Sequence, residues 1–258
     1  MKKHLLITND DGIDSGFLHR LVAALSPNFK ISVAAPAFEQ SWIGRAISRH
    51  KEIEVLNGAA HFAEGVAAWS IDGTPTDCVN IALGHLIKES VDAVVSGINI
   101  GYNTTESLIL SSGTVAGAME GAQWGLPAIA FSQCVPFGDF EAIREAKGQT
   151  EGNLAPSLQA AAEHAARLTS DLITAPPPAG QVINVNFPDM TTPESQVKET
   201  VPAKVRLGTL YEKCGSNKFH FRFSEGQKLE NDSNTDRAVL ERGFISRSRL
   251  DFSRIGCL

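Results

Sequence analysis

Short apolar runs alternate along this chain with longer stretches in which apolar positions return every three or four residues. Residues 4–8 read as a buried strand, and Phe17, Leu18, Leu21, Val22 and Leu25 then recur at helical spacing. Residues 30–35 supply a second strand and residues 36–49 a loop of small and polar side chains. Residues 53–62, turning at Asn57-Gly58, read as a hairpin. A strand at 67–71 leads to Gly73-Thr74-Pro75-Thr76-Asp77. There Thr74 is placed to cap a helix, Pro75 to fill its first turn and Asp77 to close a capping box. That helix continues through Val79, Leu83, Leu86 and Ile87.

The next apolar run, residues 93–96, has no polar alternation, as in a strand covered on both faces, and it opens into the loop 97–103. A helix follows from Ser112-Gly113-Thr114, with Val115, Ala118, Met119 and Ala122 on one side, until Gly125 and Pro127 end it. A strand at 128–132, a polar stretch over 137–153, a helix at 156–172 and a strand at 182–186 complete the series, with the proline run 176–178 before the last strand. Strand-helix alternation of this kind predicts an α/β fold, an open and mostly parallel sheet in three layers, with β-hairpin insertions. Beyond Pro188 the texture turns charged and β-prone, and 210–211 with 219–221 read as another hairpin. The chain therefore divides into a core, 1–188, and a C-terminal extension, 189–258.

Composition narrows the picture. With 258 residues, 43% hydrophobic, the chain has ample material for a large buried core, which excludes a disordered or fibrous protein. The net charge of -6 and the lack of a basic stripe interleaved with aromatics exclude a protein that tracks nucleic-acid polymers. The N-terminal apolar run 5–7 is too short for a signal peptide, and no stretch approaches the roughly 18 apolar residues that span a bilayer. The expectation is a cytoplasmic protein without membrane contact. Cys78, Cys134, Cys214 and Cys257 are scattered, with no pair at metal-ligand spacing, and read as thiols.

In a doubly wound sheet the ligand sits beyond the carboxyl ends of the strands, and the unusual polar residues concentrate there. Asn9-Asp10-Asp11-Gly12 follows the first strand directly. Two adjacent carboxylates repel one another unless a cation lies beside them, so a hard divalent ion such as Mg²⁺ or Mn²⁺ accounts for both; the plainer alternative is an Asp-Gly turn. Ser41 offers a neutral hydroxyl oxygen, and Asn99 or Asn103 an amide oxygen, each otherwise an ordinary loop residue. Ser111-Ser112-Gly113-Thr114 resembles an anion cradle, because a helix N-terminus presents unpaired amides and a positive dipole end; simple helix capping is the plainer alternative.

Other chemistries are excluded by missing residues. There is no Gly-x-Ser-x-Gly elbow, no lysine-bearing phosphate loop and no histidine pair at metal-binding spacing, and 97–101 lacks the dinucleotide glycine pattern. An adjacent Asp-Asp also differs from the Asp-x-Asp of phosphoaspartate-forming phosphatases.

Five blocks in order carry a resemblance: Thr8-Asn9-Asp10-Asp11-Gly12; Ala35-Pro36 with Gln40-Ser41; Gly73-Thr74-Pro75-Thr76-Asp77-Cys78; Ser96-Gly97-Ile98-Asn99-Ile100-Gly101-Tyr102-Asn103; and Ser112-Gly113-Thr114-Val115. Together they resemble the SurE survival-protein nucleotidases, strongly over 4–132 and more faintly at 183–186 and 235–246. The resemblance implies a Rossmann-like fold and a 5'-nucleotidase or acid-phosphatase activity on nucleoside monophosphates, with short polyphosphate as a further substrate. It implies one divalent metal ion per subunit, Mg²⁺ or Mn²⁺, on Asp10, Asp11, Ser41 and Asn99. Asp10 and Asp11 are then the catalytic pair, and Asn103, Ser112, Gly113 and Thr114 bind the substrate phosphate. It further implies a homodimer or homotetramer joined through C-terminal elements. Three positions depart from the family pattern. Trp42 stands where glycine usually follows the Gln-Ser pair, Thr104-Thr105 where glycine often follows Asn103, and Ser111 where tyrosine is common. A non-catalytic nucleotide sensor and a metal-dependent glycosyltransferase are the rival classes, separated by binding without turnover and by turnover of a nucleotide sugar.

Overall fold

The computed structural model describes residues 2–136, 138–150, 152, 154–230 and 232–254, so Cys257 lies outside the described residues. The chain opens with strand β1 (His4–Thr8), helix α1 (Gly16–Leu25), β2 (Lys30–Pro36), β3 (Val55–Asn57), β4 (Ala67–Ile71) and α2 (Pro75–Ile81). It continues through β5 (Ala93–Ile100), α3 (Thr105–Ser111), α4 (Gly113–Gln123), β6 (Ala128–Gln133), α5 (Phe140–Glu145), α6 (Leu154–Thr174) and β7 (Gln181–Phe187). The C-terminal segment adds β8 (Val197–Thr200), β9 (Val205–Arg206), β10 (Tyr211–Lys213), β11 (Phe219–Phe221), β12 (Gln227–Lys228), α7 (Asp236–Glu241) and β13 (Ile245–Asp251).

Nine strands form one sheet in the order β3-β4-β2-β1-β5-β6-β7-β13-β8, all parallel neighbours except β3 on β4 and β13 on β7. The α/β expectation is met. From β1 the chain moves outward through β2 and β4, then returns to β5 on the opposite side of β1. The carboxyl ends of β1 and β5 therefore diverge into a crevice at the point of reversal.

Successive residues of β1 point to opposite faces, so both faces of the sheet are covered. Leu5 and Ile7 pack with Phe17, Leu18 and Leu21 of α1 and Leu158 of α6, whereas Leu6 packs with Cys78 and Val79 of α2. On that second face Val115 and Ala118 of α4 meet Ala128 and Ala130 of β6. Small residues let α4 approach the sheet: a Cβ at Gly121 would lie 2.5 Å from Val94 Cβ, and one at Gly117 would lie 2.7 Å from Thr8 Cγ2. That contact carries the N-terminus of α4 to the end of β1.

Several local expectations need correction. The hairpin does not turn within 53–62; β3 pairs instead with β4, and Asn57 Oδ1 accepts the Ala59 amide at 2.9 Å to start a longer connection. The strand expected to stop at Ser96 runs on to Ile100 as β5, with a register shift between Ser96 and Asn99, so half of the supposed loop is strand. The capping box at Thr74 and Asp77 forms as expected, as does the hairpin of β10 and β11. The segment after residue 188 supplies β13 and β8 to the main sheet, where Thr200 Oγ1 bridges Ser246 Oγ at 2.9 Å and Ser248 Oγ at 2.7 Å. No helix among the described residues is long and apolar enough to cross a membrane.

Candidate active site

Asp10 and Asp11 follow β1 immediately and project into the crevice. Asp10 is 5% exposed, and its Oδ1 accepts a 2.6 Å hydrogen bond from the Thr114 hydroxyl in the first turn of α4. Asp11 Oδ2 accepts the Ile100 amide at 3.0 Å, so the two carboxylates are tied to α4 and β5 respectively. Gly113 lies against Asp10. A Cβ there would come within 3.0 Å of Asp10 Oδ2 and 3.1 Å of Gln40 O, so only glycine lets the helix end approach the acid.

Electrostatics make this pair unusual. Burial lifts the Asp10 carboxyl from its ordinary 3.8 to about 6; the Thr114 hydroxyl pulls it down and the Glu39 charge pushes it up. Burial, and after it the Asp10 charge, push Asp11 well above the ordinary carboxylate range. Neither forms an ion pair with a lysine, arginine or histidine among the described residues. A buried and a half-buried acid side by side without a protein counter-charge fit a hard divalent cation, which takes carboxylate, hydroxyl and amide oxygens. Among the described residues no three His, Cys, Asp or Glu side chains converge, so any cation here relies on neutral oxygens to complete its shell.

The neutral residues named from sequence are distributed as follows. Asn99 is 9% exposed on β5, and its Nδ2 donates to Gly101 O at 3.0 Å. Its Oδ1 has no hydrogen bond to another described group. Gln40 N donates to Asp10 O at 2.7 Å and Gly44 N to Ser111 O at 2.9 Å, which draws the 40–44 segment across the crevice. Arg45 on the buried Glu120 holds the far end of that segment. Ser41 thus follows a residue bonded to Asp10, and its hydroxyl donates to Glu39, whose Oε2 is held by Arg144 at 2.8 Å. Donation to Glu39 uses the hydroxyl's proton and leaves the Ser41 oxygen lone pairs free for a cation.

Asn103 is buried, and both hydrogens of its carboxamide are engaged within the protein, at Thr114 Oγ1 (3.2 Å) and Ser132 Oγ (2.9 Å). Its main chain is held by β7: Asn103 N donates to Asn186 Oδ1 at 2.7 Å, and Asn103 O accepts Asn184 Nδ2 at 2.8 Å. Ser112 caps α4 by accepting the Val115 amide at 3.0 Å. The structure thus brings Asn103, Thr114 and Asp10 into one hydrogen-bonded row behind the crevice, with the Thr114 amide as well as its hydroxyl turned to Asp10.

The family model for survival protein SurE matches residues 5–209, most of the chain and every block that builds this crevice. The chain belongs to the SurE family. A 5'-nucleotidase SurE of Azorhizobium caulinodans is 35% identical over 253 residues, covering 94% of this chain and 90% of the relative. One from Thermoanaerobacter sp. strain X514 is 30% identical over 252 residues, covering 96% and 92%. Another from Myxococcus xanthus is 39% identical over 196 residues, covering 76% of this chain and 66% of the relative. The crystal structure of SurE protein from Aquifex aeolicus superposes with a TM-score of 0.74 at 24% identity, over 96% of this chain and 93% of that one, which shows a shared fold.

Two of this SurE chain's departures occupy backbone that glycine favours. Trp42 has φ +58° and Thr105 φ +71°, both left-handed. Trp42 packs edge-on against Phe221 at 5.0 Å between ring centroids and tilted against Phe223 at 5.8 Å, so the C-terminal hairpin reaches the rim of the site. Sequence reasoning gave no role to Ser132, Asn184, Asn186 or Glu39. Its one available signal was the pair of asparagines two apart in an otherwise apolar strand, which places two amides on one face.

Proposed function

We propose that this protein is a metal-dependent phosphomonoesterase that hydrolyses nucleoside monophosphates to nucleoside and phosphate, and short polyphosphate as well. One observation carries the reading. The adjacent acids Asp10, buried, and Asp11, half-buried, without a protein counter-charge among the described residues, face the N-terminus of α4 at the sheet's point of reversal. The names of the relatives support it.

A divalent ion, Mg²⁺ or Mn²⁺, held by Asp10, Asp11, Asn99 and Ser41 would supply charge neutralisation and Lewis acidity toward the phosphoryl oxygens. The chain's own part is positional. The Gly113 amide and the α4 dipole favour a phosphate at the helix end, where its charge grows as the ester bond breaks, while the Thr114 amide and hydroxyl hold Asp10 beside it. Asn103 and Ser112 act one step back. Asn103 aims the Thr114 hydroxyl at Asp10, so the hydroxyl's proton stays on the carboxylate side, and Ser112 closes the first turn of α4.

In a panel of nucleoside 5'- and 3'-monophosphates, phosphate release is expected with Mn²⁺ or Mg²⁺ and its loss on chelation. Binding of nucleotide by calorimetry with no phosphate formed would leave a sensor instead. Across the same panel Trp42→Gly is expected to alter the ranking of bases by several-fold, because it strips an aromatic wall from the rim and relaxes a left-handed residue by about 1 kcal/mol. An unchanged ranking removes Trp42 from substrate selection. Assembly into two or four copies through residues 189–258 belongs to the same reading. Tyr211 and Phe219, exposed on the hairpin, support it, and a monomer in sedimentation velocity would remove it.

A further inference from the structure

The connection from β5 to α3 carries Asn103; β7 holds the main chain of Asn103 itself, and the C-terminal segment holds the residues on either side of it. We infer that Asp236 is a positioning residue for the reaction, holding the 101–106 loop so that Asn103, Thr114 and Asp10 stay aligned. The inference rests on the phosphomonoesterase reading and adds to it a residue outside the crevice.

Asp236 is fully buried at the start of α7. Its Oδ2 accepts the Thr105 amide at 2.9 Å, and its Oδ1 accepts the amides of Ala203 at 2.9 Å and Arg237 at 2.7 Å. A carboxylate is the side chain suited to three converging N–H groups, since it only accepts and has lone pairs to spare. Ala203, so held, accepts the Glu106 amide at 3.0 Å. The adjacent Arg237 lays its guanidinium over the Tyr102 ring, 4.8 Å from the centroid. Tyr102, Thr105 and Glu106 are therefore each gripped by the 236–237 turn or by a residue that it holds. Asn103 sits between them.

The grip opposes a strain. Thr105 has φ +71°, a conformation that a β-branched residue keeps only where its surroundings over-determine it. The hydrogen bond from its amide to Asp236 is the contact that does so. Once released, Thr105 relaxes toward negative φ, and Asn103, two residues earlier, shifts away from Thr114 and Ser132. Thr114 then loses the partner that fixes the direction of its hydroxyl toward Asp10.

The test compares Asp236→Ala, Asp236→Asn, Thr105→Gly and the double variant Asp236→Ala/Thr105→Gly in the full-length protein. Asp236→Ala is expected to lower kcat for nucleotide hydrolysis by about tenfold or more, with a much smaller change in KM, since a small misplacement costs rate before binding. Mn²⁺ affinity by calorimetry should stay within about twofold, because Asp236 lies apart from the acids. Adding Thr105→Gly, which removes the Cβ that disfavours left-handed backbone, should restore kcat by about threefold or more. A residue that merely stabilised the C-terminal segment would leave kcat per folded molecule intact, or would lose it without rescue by glycine; either result overturns the inference. If Asp236→Ala does not fold, Asp236→Asn, which keeps one accepting oxygen, carries the same comparison. Absence of hydrolysis by the wild type sinks the phosphomonoesterase reading instead. Amide exchange then decides separately: faster exchange at Thr105 and Glu106 in Asp236→Asn is expected, and unchanged protection overturns the grip.

Discussion

Asp10→Asn is expected to lower kcat for phosphate release by about 10²–10⁴-fold while the fold survives. The reason is geometric. Asparagine has the shape of aspartate, so its Oδ1 still accepts the Thr114 hydroxyl and its Cβ still rests on Gly113. What leaves is a unit of charge from a pair that faces no protein cation. Steady-state kinetics with saturating Mn²⁺ reads the loss, and turnover unchanged in the variant removes Asp10 from the chemistry.

The same substitution has a second signature, in stability. Asp10 rests near 3.8 when unfolded and is lifted by burial to about 6 in the folded, cation-free protein. A raised acid stabilises the folded state fully at low pH, where both states hold the proton, and that contribution fades as pH rises through about 6. Because the unfolded carboxyl is already more than half ionised at pH 4, the difference between pH 4 and pH 7.5 amounts to about 2.4 kcal/mol. The carboxamide of the variant does not titrate and has no such dependence. Urea titrations in chelator should therefore show the variant gaining on the wild type as pH rises, so that it is the more stable of the two at pH 7.5. A gap of equal size at both pH values would mean that Asp10 does not ionise across this window.

How much of this arrangement is legible from the chain depends on where each constraint originates. Local constraints read well: the uninterrupted apolar β1, the periodic α1 and the Thr74–Asp77 capping box each form where their own residues place them. The polar clusters at 9–12, 97–103 and 111–114 meet because strand ends in a parallel sheet converge at the point of reversal, so their meeting also follows from the pattern. Constraints set by distant partners read poorly. β5 extends past Gly97 because Asn99 and Ile100 pair with Ser132 and Gln133 of β6, a register that no local pattern encodes. β13, with serines and arginines alternating, looks like a solvated strand. It lies inside the sheet because Ser246 and Ser248 satisfy one another through Thr200 on β8. Thr105 carries no sequence mark of its left-handed backbone, since the carboxylate that enforces it stands 131 residues away.

Asn103→Ala is expected to reduce kcat by about 10²-fold and to destabilise the fold by about 1–3 kcal/mol. Its Nδ2 satisfies two buried hydroxyls at once, Ser132 and Thr114, and alanine leaves both without that donor. Thr114 is then free to swing from Asp10, and the acid loses the hydrogen bond that counters its burial. Asn103→Asp should be worse in rate than alanine. A carboxylate at 103 competes for the Thr114 proton and adds a third negative charge behind Asp10 and Asp11. The decisive comparison is a cycle with Thr114→Val. If Asn103 acts through the Thr114 hydroxyl, the double variant should lose little more rate than Thr114→Val alone, a coupling of about 1–3 kcal/mol. Losses that multiply would instead show that Asn103 reaches the phosphate on its own, by a route separate from Thr114 and Asp10.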